Sequence, residues 1–193
     1  MTLRGHVAPA APTTDNDREQ ELLLRIAARD REAFKQLYYL YHRRLARFLT
    51  RLTRRPEIAE EIINDTLWVV WQKAQEFRGG SLVSTWILGI AYRRGLKTLH
   101  RQHALDASMQ PRDDRESSVA IDENSRARER EDWLEHALAQ LPLEQRMVLE
   151  LAYYLGYSCE EIAEITSCPV NTVKTRMYHA RRKMKTLLRL LER

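Results

Sequence analysis

The residues whose types and spacing suit chemistry gather near the C-terminus. Val173, Met177, Ala180, Met184 and Leu187 recur at intervals of three and four, the stripe of a helix packed on one side. The opposite face shows Asn171, Lys174, Thr175, Tyr178, His179 and Arg182, all hydrogen-bonding or phosphate-seeking types. Upstream, Ser158 and Glu161 have the spacing of a capping box. Ile162, Ala163 and Ile165 then make a short helix, and residues 166–170 make a turn. A short helix, a tight turn and a basic helix form a helix-turn-helix. In that motif Lys174 and Thr175 stand where base edges are read, and Arg176 and Arg182 where phosphates are held. An ordinary surface helix with basic decoration is the plainer alternative.

Other chemistries find no support in the spacing. There is no glycine-rich phosphate loop and no nucleophile–base set. His100 and His103 with Cys159 and Cys168 lack the paired spacing of a zinc site, so no metal and no cofactor is expected. Trp68, Trp71 and Trp86 read as core. Two cysteines make no disulfide framework, and a reduced cytoplasm is the simplest compartment.

The elements that carry these residues read as helices throughout. Six glycines and six prolines in 193 residues leave too few turns for a β-sandwich or barrel. Residues 1–16 read as a disordered tail, followed by a helix from Asp17 to Arg29. Asp30 caps a second helix whose inward row is Phe34, Leu37, Tyr38, Tyr41, Leu45, Phe48, Leu49 and Leu52. Arginines crowd its C-terminal half, where cations suit the helix dipole. Pro56 opens a third helix, to about Gln75, with Glu57, Glu60, Glu61 and Asp65 toward its start. Arg78-Gly79-Gly80-Ser81 breaks the chain before a fourth helix from about Ser84. Its later part is basic, with Arg93, Arg94, Lys97 and Arg101. Residues 104–125 lose the period and read as a linker. A helix from Leu143 to Leu155, ended by Gly156, precedes the helix-turn-helix, whose last helix is expected from Asn171 to Leu190.

The net charge of +5 conceals a pattern. It is +7 over residues 1–103, −4 over 104–125, −5 over 126–170 and +7 over 171–193. Two basic ends around an acidic middle point to a polyanionic partner, most often nucleic acid. No apolar run of about 18 residues exists, so no membrane insertion is expected.

Taken in order, these segments resemble bacterial extracytoplasmic-function (ECF) sigma factors. The C-terminal stretch Leu141-Pro142, Glu161-Ile162-Ala163-Glu164 and Pro169 to Arg176 is similar to the family's second conserved domain. Asp30 to Tyr41, Ala59 to Trp71 and Phe77 to Ala91 are similar to its first. The resemblance covers residues 18–103 and 126–190.

It implies an all-α protein of two small helical domains joined by a flexible linker, residues 17–103 and 126–193. It implies no enzyme, but a factor that makes core RNA polymerase promoter-specific. Glu61, Asn64 and Asp65 would meet the β′ clamp helices, and the second domain the β flap. Without the family, those acids read as stabilisers of the helix dipole. Arg78, Gly79, Gly80 and Ser81 would capture an unstacked −10 base, beside Arg93, Arg94, Lys97 and Arg101 on phosphates. Asn171, Thr172, Lys174, Thr175, Arg176, Tyr178, His179 and Arg182 would read the −35 element. An anti-sigma partner is implied as well.

Two positions depart from the pattern. Arg93 and Lys97 stand where the family carries Asn and Asp, and Asn171 replaces a glycine, where it would serve as an N-cap. The residues alone leave open a one-component DNA-binding regulator and a protein adaptor that binds no DNA.

Overall fold

The computed structural model describes residues 13–108, 134 and 137–189, and all its regular elements there are helical. The expected tail up to residue 12, most of the expected linker and the start of the second domain near Arg126 lie outside the described residues. Helix α1 spans Thr13–Ala27, α2 Arg31–Thr53, α3 Pro56–Lys73 and α4 Val83–Ser108. A 3₁₀ turn, Ala74–Glu76, follows α3. The second half contains α5, Leu143–Leu149, a π-helical turn, Glu150–Tyr154, then α6, Cys159–Thr166, and α7, Val170–Arg189.

Asp30 acts as the expected cap, its Oδ1 accepting the Glu32 and Ala33 amides at 2.8 and 3.1 Å. Arg25 donates to Asp30 Oδ2 at 2.7 Å. The Ala33 amide and then Arg25 hold the Asp30 carboxyl below its usual range. Ser158 and Glu161 form the full capping box. Three helices stop without a glycine. Arg29, Arg54 and Ser167 take left-handed conformations, with φ of 66°, 57° and 53°. Each costs on the order of 1–2 kcal/mol that the packing around it must offset.

Several boundaries differ from the sequence reading. Helix α1 begins at Thr13, not Asp17, and Asn16 within it accepts the Val83 amide at 3.1 Å, so this segment is tied to the start of α4. Helix α4 continues to Ser108, into the segment expected to be linker. The expected helix 143–155 changes register at Glu150, where the Leu155 amide bonds the Glu150 carbonyl five residues back. Asn171 lies inside the first turn of α7 and is no cap, because the helix starts at Val170, directly after Pro169.

Both halves share one core. Leu37, Leu45, Phe48 and Leu49 of α2, Ile63 and Val70 of α3, and Ile87, Leu88 and Ala91 of α4 are fully buried with Met147, Val148, Ile162, Ile165 and Val173 of the second half. The two glycines of α4 mark the seam. A Cβ on Gly95 would touch Leu49 Cδ2 at 3.5 Å and Met147 Cε at 4.0 Å. A Cβ on Gly89 would lie 3.4 Å from the Ile165 carbonyl oxygen.

One buried acid gives the fold a pH dependence. The Tyr41 hydroxyl donates to Glu19 Oε2 at 2.6 Å, and both residues are buried. Burial pushes the Glu19 carboxyl above its usual range. The folded chain then holds a proton that the unfolded chain has released. This stabilisation is present below the ordinary carboxylate range and lost as pH rises through the raised value. Glu19→Gln keeps an acceptor for Tyr41 and removes the titration. In thermal unfolding across pH 4–8, Glu19→Gln should gain on the wild type as pH rises; a constant difference would show that Glu19 does not titrate this way.

Candidate partner and nucleic-acid surfaces

Helix α3 is divided cleanly. Ile58, Ala59, Ile62, Ile63, Thr66, Leu67 and Val70 are buried, which leaves Glu61, Asn64 and Asp65 in solvent. Trp68 shares their side of the helix, because it follows Asn64 by four residues and Glu61 by seven. It is 58% exposed, which corrects the expectation of a core residue. The spacing already held this signal, because position 68 continues the polar row of positions 61, 64 and 65. Trp71 and Trp86 are half-buried and packed, Trp71 edge-on to Phe34 at 5.1 Å and Trp86 beside Phe77 at 5.4 Å.

The loop after the 3₁₀ turn is open. Arg78, Gly79 and Gly80 are exposed and Ser81 is half-buried. Gly79 has φ of 71°, which suits only glycine without strain, and nothing lies within 4 Å of a Cβ placed on either glycine. Arg93, Lys97 and Arg101 form an exposed row along α4 at four-residue intervals. Arg94 does not join it. Its guanidinium lies 3.6 Å from Asp65 Oδ2, where it pairs with the acidic end of the α3 surface.

On α7, Val173, Met177 and Ala180 are buried, with Met184 and Leu187 half-buried, as the stripe requires. Asn171, Lys174, Thr175, Tyr178, His179 and Arg182 are exposed, and Thr172 is half-buried. The Thr175 hydroxyl donates to the Asn171 carbonyl at 2.9 Å. The Tyr178 and His179 rings stand edge to face, 5.4 Å apart. Arg176 departs from the expected set. It is half-buried, its Nη1 donates to Cys168 Sγ at 3.9 Å, and its charge acts on the Tyr92 hydroxyl of α4. Burial pushes the Tyr92 hydroxyl up despite this cation. Among the described residues no helix is long and apolar enough to cross a membrane. His100 Nε2 lies 3.8 Å from Glu144 Oε1, and both cysteines are free and half-buried.

An acidic helix face, an open glycine loop beside a basic row, and a helix-turn-helix in that order define a transcription factor of the sigma-70 class. The family model for Sigma-70 region 2 matches residues 37–104, and that for Sigma-70 region 4 matches residues 131–184. The ECF RNA polymerase sigma factor SigK of Mycobacterium sp. (strain JLS) is 30% identical, over 91% of this chain and 92% of its own. SigM of Mycobacterium tuberculosis (strain ATCC 25618 / H37Rv) is 30% identical over 88% and 84%. The chain belongs to the ECF RNA polymerase sigma factors.

Solved structures share the fold. CnrH in complex with the cytosolic domain of CnrY superposes on 90% of this chain and 99% of its own, with a TM-score of 0.68 at 21% identity. RpoE in complex with the anti-sigma factor NepR from Bartonella quintana covers 81% and 96%, with a TM-score of 0.62 at 25% identity.

The opposite placement of two tryptophans three residues apart is directly testable. Trp68→Ala should change stability by no more than about 0.5 kcal/mol, as for other surface positions. Trp71→Ala should cost at least about 2 kcal/mol, since it opens the contact with Phe34. Equal losses in urea unfolding would contradict the assignment of Trp68 to the solvent face.

Proposed function

We propose that this sigma factor docks on core RNA polymerase through α3 and reads its promoter through α4 and α7, with no catalytic activity of its own. The observation that carries this reading is the exposure of two complementary faces on one chain, acidic on α3 and basic on α7. Glu61, Asn64 and Asp65 suit the β′ clamp helices, a basic partner by charge. Trp68 adds a large aromatic at the C-terminal end of that face, the residue type most enriched among interface hot spots. Residues 17–103 act as the first functional domain and 126–193 as the second, the latter also seated on the β flap.

The glycine loop Arg78–Ser81 takes an unstacked −10 base, because two bare α-carbons let a strand approach closely. Arg93, Lys97 and Arg101 hold the adjoining phosphates. Arg93 and Lys97, which depart from the family pattern, extend the basic row and add phosphate contacts to this step. Lys174, Thr175, Tyr178 and His179 face the −35 bases, with Asn171, Thr172 and Arg182 toward the backbone. The factor works in the cytoplasm. Control by an anti-sigma factor is supported by the RpoE structure, which was solved with one.

A reconstituted transcription assay tests the reading. Core polymerase with this chain should transcribe from a cognate promoter and core alone should not; core binding without any promoter-specific transcript would overturn it. Glu61→Lys/Asp65→Lys should weaken core binding at least tenfold while staying folded, and Trp68→Ala should weaken it severalfold; unchanged affinity would reject the docking face. Lys174→Ala/Thr175→Ala should relax −35 selection, and Arg182→Ala should instead lower the salt slope of promoter binding by about 0.9, for one lost phosphate contact. Unaltered promoter choice would reject that contact set.

A further inference from the structure

The +7 charge of residues 1–103 comes from a single stretch. From Lys35 to Arg55 there are seven cations and no acid, so the remaining residues of that half are neutral in sum. Arg44 and Arg51 of this stretch are engaged by Tyr157 and Glu150. Lys35, Arg43 and Arg47 are exposed, and among the described residues none of the three makes an ion pair or a hydrogen bond. The helix dipole does not account for them, because its effect fades within the last turn. Arg43 and Arg47 stand well before that turn, since α2 runs on to Thr53.

Tyr39 belongs to the same row. Lys35, Tyr39, Arg43 and Arg47 follow one another at four-residue intervals, each about 6 Å further along the helix and about 40° further round it. The Tyr39 ring is 68% exposed, and Leu40 next to it is 48% exposed. The ring is nevertheless braced. It stands perpendicular to the Tyr38 ring at 5.9 Å, Tyr38 stacks on His42 at 5.3 Å, and His42 Nε2 lies 3.0 Å from Glu60 Oε1. Glu60 thus meets α2 at one edge of the acidic α3 face, and Asp65 meets Arg94 of α4 at the other. The α2 row and the α4 row flank the docking face from opposite sides, so the α2 row is a separate surface.

We propose that this outer face of α2 binds single-stranded DNA, with one base stacked on Tyr39 and phosphates held by Lys35 on one side and by Arg43 and Arg47 on the other. Cations in a row with an aromatic ring presented between them hold unpaired strands without reading their sequence. Charge alone would suit any polyanion, and Tyr39 narrows the choice. The bases of a duplex are stacked on each other and offer the ring no face. An acidic peptide would satisfy the cations and leave the ring in water. The choice of DNA over RNA rests on the function proposed above, since promoter opening leaves an unpaired strand beside the chain; the strand site itself does not.

Fluorescence anisotropy of the intact chain, with a labelled oligothymidylate of about 16 nucleotides, tests this without polymerase. Tyr39→Ala should weaken binding at least about fivefold, as the loss of one base stack does, and leave the salt slope unchanged. Tyr39→Phe should restore the affinity. Arg43→Ala/Arg47→Ala should weaken binding and lower the salt slope by about 1.4, for two lost single-strand phosphates. Both differences should persist in a chain that also carries Arg93→Ala/Lys97→Ala/Arg101→Ala. An oligothymidylate bearing 5-iododeoxyuridine should cross-link to Tyr39 on irradiation, as located by mass spectrometry. If an alanine variant loses helix content by circular dichroism, Tyr39→Gln and Arg43→Gln/Arg47→Gln decide, with the same losses expected.

No binding by the wild type, folded variants that bind as it does, or cross-links confined to residues 78–101 would overturn the strand site. So would a duplex of equal length bound as tightly and with the same dependence on Tyr39. Oligouridylate bound more tightly than oligothymidylate would overturn the assignment to DNA. Strand binding at α2 without any promoter-specific transcript would count against the function proposed above and leave the site standing; transcription without strand binding at α2 would do the reverse.

Discussion

Helix α4 is apolar on too many sides to have one neighbour, and the rest of the molecule follows from covering it. Val83, Ile87, Leu88, Ile90, Ala91, Tyr92 and Leu99 are buried, and they spread over slightly more than half the circumference. A helix of that kind must be enclosed on several faces. Helix α3 covers one side, and α1 and α2 cover part of another. The strip around Gly89, Tyr92 and Gly95 is left, and it is the second unit that covers it. The exposed row Arg93, Lys97 and Arg101 is the narrow polar margin left over. The surface assigned to DNA and the surface that binds α6 are thus adjacent strips of one helix.

Charge follows the same geometry. The arginines of α2 fit a helix C-terminus when read from the sequence, and the dipole argument holds for them. The structure gives two of them a further task, since Arg44 and Arg51 hold Tyr157 and Glu150 of the second unit. Arg94 and Arg176, read as DNA contacts, instead act on Asp65 and Tyr92. A count of basic residues on a helix therefore overstates the charge it offers to a phosphate backbone. Three of the four cations named on α4 are free to do so, whereas on α7 it is the exposed set around Lys174 that remains.

Much of this was legible in the residues, because helical periodicity and capping are local. The buried rows of α2 and α7, the Asp30 cap, the Ser158–Glu161 box and the helix-turn-helix all depend on neighbours within a few positions. The features that escaped depend on distant ones. Arg54 and Ser167 end helices in left-handed conformations that no glycine announces. The π-helical turn at Glu150 inserts one residue into an unbroken apolar pattern, and Glu150 there bonds Arg51, almost a hundred residues away in sequence. Trp68 was assigned to the core by its chemistry although its position placed it outside. That both halves enter one core was beyond reach for a similar reason: a sequence period shows which face is apolar, not what will cover it.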